Sequence, residues 1–126
     1  MREFMFLIRN EIDHQASWPA EKMEQFLKDC SVYINKLKKE GKLKMAQPLV
    51  REGKMLAGSK NTWKDGPFNE SKEVIVGYYH ILANDIDEAI EIAKGNPEFE
   101  YGPKARIEIR PIKVREETTG YVYPES

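Results

Sequence analysis

An α+β fold, an antiparallel sheet with two helices on one face, is what this sequence predicts, and three features predict it. Charged and apolar residues alternate along 104–112, a strand pattern with one buried face. Apolar residues recur at spacings of three and four through 19–39, the mark of a long amphipathic helix. A β-branched and aromatic run, 74–83, leads straight into a second capped helix.

The first strand is expected at 3–9, where Phe4, Phe6, Leu7 and Ile8 are β-prone. Polar residues 10–17 follow as a loop. Pro19 suits a helix first turn, and Glu21 favours the same end through the helix dipole. Met23, Phe26, Leu27, Cys30, Ile34 and Leu37 form the apolar stripe, and Gly41 supplies the stop. Leu43–Val50 and Lys54–Lys60 read as two short strands, the first an edge or bulged one because it contains Pro48. Residues 61–72 are rich in turn formers around Asp65-Gly66-Pro67, and Phe68 is expected to anchor that loop by burying its ring. Asp85 caps the second helix, with Glu88 completing a capping-box pattern; Ile86, Ala89, Ile90 and Ala93 form its buried face and Gly95 ends it. In the last strand Ala105, Ile107 and Ile109 face the core and Arg106, Glu108 and Arg110 the other way. Residues 1–114 therefore form one domain, and 115–126 a polar C-terminal tail or a short strand on a partner.

Composition narrows the function. The 126 residues carry 20 Lys+Arg against 21 Asp+Glu, a formal net charge of -1, which excludes a nucleic-acid binder working by bulk charge. The basic run Lys36, Lys38, Lys39, Lys42 and Lys44 sits at a helix end, where cations are stabilised, and reads as solvated. No apolar run approaches the roughly 18 residues of a membrane span, and the N-terminus lacks a signal-peptide pattern. The single Cys30 excludes an intrachain disulfide. A cytoplasmic protein is expected. Two histidines without metal-ligand spacing are a poor ligand set, and no cofactor-binding loop is present, so neither metal nor cofactor is expected.

The string Lys64-Asp65-Gly66-Pro67-Phe68-Asn69-Glu70-Ser71-Lys72-Glu73, followed by Gly77-Tyr78-Tyr79, Asp85-Ile86-Asp87-Glu88-Ala89 and Glu108-Ile109-Arg110-Pro111-Ile112, closely resembles the YCII-related family in its DGPF-domain branch. The likeness runs from the first strand to about residue 113. It implies a ferredoxin-like dimeric α+β barrel, two sheets facing each other across a cleft. A few relatives of that family are enzyme-like, with a proposed His–Asp pair or dehydrohalogenase activity. In the branch with that pair the His lies eleven residues before the helix-ending Gly, and counting back from Gly41 lands on Cys30. This chain departs from the family's pattern there.

Alternation on the 74–83 strand puts Val76, Tyr78, His80 and Leu82 on one face, and Ile75, Gly77, Tyr79, Ile81 and Ala83 under the helices. Tyr78, His80, Arg106, Glu108 and Arg110 then share the open face, a set able to bind an anion and move a proton, or to form a polar subunit interface. Asp65 is either a turn residue or a pocket acid; His80 and Asp65 are the candidate catalytic pair. Tyr78, Arg106, Arg110 and His14 are the candidate ligand-binding residues, His14 standing with Asp13 in the loop after the first strand. Cys30, on the apolar stripe, reads as a core residue rather than a nucleophile. A homodimer is expected, because the open sheet face needs cover. The function these residues support is small-molecule binding, the ligand small and anionic, in a dimer cleft with isomerase- or lyase-type proton transfer. The alternative is a non-catalytic dimeric interaction or regulatory module.

Overall fold

The structure, a computed structural model, describes residues 1–67 and 73–124; Phe68 lies outside them. Its elements are β1 (Arg2–Glu11), α1 (Ala20–Lys39), β2 (Leu43–Pro48), β3 (Lys54–Ser59), β4 (Thr62–Pro67), β5 (Glu73–Ala83), α2 (Ile86–Lys94), α3 (Glu98–Tyr101) and β6 (Arg106–Pro111). Four strands form an antiparallel sheet in the order β2-β5-β1-β6. That order and the two long helices are consistent with a ferredoxin-like fold.

Period-two alternation builds the core. Phe4, Phe6 and Ile8 of β1 and Tyr79, Ile81 and Ala83 of β5 are buried on one face, where Leu37 of α1 and Ala89 and Ala93 of α2 meet them. Ile107 and Ile109 of β6 pack against the same cluster. Small residues on α2 let its backbone lie close to the sheet, and truncating a ring such as Phe6 would cost about 3–5 kcal/mol. Asp85 Oδ1 accepts the Glu88 N–H at 2.8 Å, capping α2 as expected. Glu88 turns back to Asn84 instead of closing the box on Asp85: its Oε1 accepts the Asn84 backbone N–H at 3.4 Å and its Oε2 the Asn84 amide at 3.1 Å. Gly41, at φ 70°, takes the left-handed conformation that stops α1.

The sequence reading needs correction in five places. β1 runs through Asn10 and Glu11, which pair with Val74 and Glu73, so the loop starts later than expected. Pro19 is the N-cap of α1 rather than its first helical residue, its carbonyl accepting from Lys22 and Met23. Thr62–Pro67 is a strand, not a loop: it pairs with β3 in a separate two-stranded sheet joined by a two-residue turn. Asn61 adopts φ 73° in that turn, and a Cβ on Gly58 would lie 2.0 Å from the Thr62 carbonyl oxygen. The fourth is a β-bulge. Ile8 pairs with Gly77 but Arg9 with Ile75, leaving Val76 as the extra residue. Val76 consequently packs against the core, while Ile75 falls opposite Arg9 on the open face, the reverse of simple alternation. Last, Ile86 and Ile90, expected on the buried face of α2, are exposed, and Ala89 and Ala93 alone of that set are buried. The C-terminal segment folds on itself, with Arg115 bridged to Val122 and the Tyr123 N–H bonded to the Val114 carbonyl.

Candidate functional site

The open face carries Tyr78, His80, Arg106, Glu108 and Arg110 as alternation assigned them, though not Val76. Across the ladders His80 and Arg110 lie opposite Met5, Tyr78 and Glu108 opposite Leu7, and Arg106 opposite Arg9. Their charges are matched among themselves. His80 Nε2 donates to Glu3 Oε1 at 2.7 Å, and Lys44 Nζ reaches the same oxygen at 3.2 Å. These two bonds, His80's first, hold the Glu3 carboxyl below the ordinary carboxylate range. Glu108 lies between Arg9, at 3.0 Å, and Arg110, at 3.9 Å, and Arg106 pairs with Glu73. Tyr78 directs its hydroxyl to the Met45 sulfur at 3.4 Å. Asp65 does not join this set. It is exposed on β4, opposite Leu56, in the detached hairpin.

Two adjoining cavities lie on the helix side of the sheet. One, of about 400 Å³, is lined by His14, Met23, Phe26, Leu27, Val76 and Glu98 among others. A second, of about 410 Å³, shares Phe26, Leu27, Pro48, Val76 and Glu98 with it and extends past Cys30 and Ile34 to Lys38. Together they form one cleft between α1 and β2. Leu27, counted with the core stripe by its spacing, is 56% exposed because α1 stands off from the edge strand here. Cys30 is half-buried, and burial pushes its thiol up to about 11, so it stays protonated near neutrality, as expected of a non-nucleophilic cysteine.

The cleft is organised around His14 and Glu98. Their side chains are 14% and 13% exposed, and Nε2 of the imidazole stands 3.9 Å from Oε2 of the carboxyl. His14 Nδ1 is 3.0 Å from the Glu11 carbonyl oxygen, which can only accept; Nδ1 therefore holds the proton. In the neutral ring Nε2 is then a bare acceptor, and it is buried without a hydrogen-bond partner. Burial raises the Glu98 carboxyl above its ordinary range, against the opposing pull of His14 and of Asn10. Asn10, 2% exposed, donates its amide to Glu98 Oε2 at 3.3 Å.

Local folding explains why these groups stay in place. The Asn96 side chain accepts the Glu98 N–H at 2.9 Å and starts the short helix α3. Tyr101, at its end, packs on Trp18 and Phe26 with ring centroids 5.6 and 5.2 Å away and donates to Asp29 at 2.6 Å. His14 follows a turn closed by the Glu11 carbonyl, and its neighbour Asp13 pairs with Arg51 at the exposed rim. Of the candidate residues, then, only His14 belongs to this cleft. Glu98 and Asn10 escaped the sequence reading. Asn10 carries a signal that could have found it: it continues the inward phase of Phe4, Phe6 and Ile8 with a polar side chain. Glu98, in a proline- and glycine-punctuated connection, carries none.

A family model described as the YCII-related domain matches residues 3–113. An uncharacterised protein of Rhizobium meliloti (strain 1021) is 28% identical over 95 residues, covering 72% of this chain and 77% of the relative.

Proposed function

The chain belongs to the YCII-related family, and from that premise we propose that it binds a small molecule in the helix-side cleft and moves a proton on it through His14 and Glu98. The observation that carries this reading is the buried, partnerless Nε2 of His14 facing a buried carboxyl at a cavity wall. A fixed tautomer makes the imidazole a base, and an acid whose proton burial holds more tightly than usual can supply the compensating proton. The 3.9 Å separation exceeds hydrogen-bond reach, as is common before substrate tightens such a pair. Isomerase- and lyase-type reactions, in which a C–H proton leaves while an oxygen gains one, are the chemistry this supports. Phenylpyruvate in D2O tests it, because exchange at its enolisable carbon is read directly by NMR. Wild-type protein should accelerate the exchange, and His14→Gln and Glu98→Gln, both still folded by circular dichroism, should lose the acceleration. Equal rates in wild type and His14→Gln would remove His14 from the chemistry.

The open face has a different assignment. Its mutually paired charges and the apolar Met5, Leu7, Ile75 and Leu82 between them favour contact with a second copy, giving a homodimer. Light scattering at micromolar concentration should give twice the 14.7 kDa chain mass; the monomer mass would refute the assignment. The Lys64–Glu73 string supports the DGPF branch, and the lone cysteine a cytoplasmic setting. No helix of the described residues is long and apolar enough to cross a membrane.

A further inference from the structure

We propose that the cleft between α1 and β2 takes an apolar monocarboxylic acid with an enolisable carbonyl at the far end of its chain, its carboxylate at Lys38 and its hydrocarbon body running along α1 so that the carbonyl end meets His14 and Glu98. The proposal names the substrate class of the proton-transfer site and rests on that reading for the reactive end.

The helix itself sets the track. Leu27, Ser31, Ile34 and Lys38 stand at successive spacings of four, three and four on α1, so they share one face, and all line the cleft. Eleven residues of helix separate its ends by roughly 16 Å. The floor is apolar: Ile34 and Val76 pack against the core, and Phe26 is buried. The Lys38 end is open, rimmed by exposed Ser31, Asn35 and Gln47, whereas the Glu98 end is largely closed to water. Such a polarity gradient fits a ligand with one wet, charged end and one dry end.

Charge selects the headgroup. Among the described residues the Lys38 ammonium has neither an ion-pair nor a hydrogen-bond partner, while Arg51, at the far rim, is already held by Asp13. One ammonium among neutral amides and a hydroxyl matches a single negative charge. A phosphate would call for a guanidinium fork or more cations. A carboxylate needs only the point charge that Lys38 offers.

Calorimetry with octanoate, 1-octanol and octylamine on the full chain tests the assignment. Octanoate should bind more tightly than either uncharged or cationic probe. Lys38→Met, a surface substitution that keeps the apolar stem, should weaken octanoate about tenfold and leave 1-octanol unchanged. Leu27→Glu, at an exposed position inside the cleft, should weaken both. Octanoate binding unaltered by Lys38→Met, or equal binding of all three probes, would overturn the proposal, as would absence of octanoate binding. The two readings fail separately. Phenylpyruvate exchange that survives without any octanoate site removes the ligand class alone, and octanoate binding without exchange removes the proton transfer alone.

Discussion

His80 and His14 are the chain's two histidines, each beside a glutamate, and they lie on opposite sides of the sheet. On the open face the imidazole bonds Glu3 at 2.7 Å, and Lys44 brings an ammonium to the same oxygen. The carboxyl there is driven toward its charged form. Under the helices the pair stands apart at 3.9 Å with only Asn10 to assist, and burial drives the Glu98 carboxyl toward its neutral form. Identical residue types therefore yield a stable ion pair in one place and an unspent acid and base in the other. The difference lies in what surrounds the carboxyl, a lysine ammonium or a dry wall, and not in the pair itself.

Two substitutions test how far that contrast extends. The larger effect is expected from His14→Ala, which leaves Glu98 buried without the neighbour whose pull opposes its burial. It should cost about 2 kcal/mol near neutrality, read from urea denaturation. Because the native Glu98 carboxyl binds its proton more tightly than the unfolded one, its contribution to stability is complete below the ordinary value of 4.5 and is lost as pH rises through the raised value. Removing His14 raises that value further, so the cost should shrink on acidification toward pH 4. A cost independent of pH would mean that the two groups are not electrostatically linked.

Glu3→Gln should act more weakly and with the opposite slope. The native Glu3 carboxyl is the more acidic one, so its contribution is present above 4.5 and disappears as pH falls through the lowered value. With about a quarter of that side chain exposed, a loss of about 1 kcal/mol at neutral pH is expected, fading in acid. If the variant instead became less stable relative to wild type on acidification, the ion-pair description of the open face would be wrong.

The sheet and both long helices were legible because periodicity reports burial directly: the phase of Phe4, Phe6 and Ile8 and that of Tyr79, Ile81 and Ala83 each name a buried face. The hairpin was hidden because Asp65, Gly66 and Pro67 have turn chemistry, and only pairing with β3 makes that stretch a strand. Val76 and Ile75 exchanged faces through a bulge, a one-residue event that leaves no mark on composition. The open-face cluster could be placed from strand alternation alone. The His14–Glu98 cleft could not, since it joins residues 84 positions apart through an aromatic contact and two side-chain bonds.

The hairpin tip has one more consequence. Lys60 and Asn61 lie at the end of an exposed arm, and they divide the chain into a first part with β1, α1 and β2 and a second with β5, α2, α3 and β6. In the order β2-β5-β1-β6 every ladder joins a strand of one part to a strand of the other. Neither part can build the main sheet alone, yet the exposed tip between them is open to a protease. A chain clipped at that tip would lose its continuity and keep its fold, held as a two-piece complex whose every main-sheet hydrogen bond between strands crosses the cut.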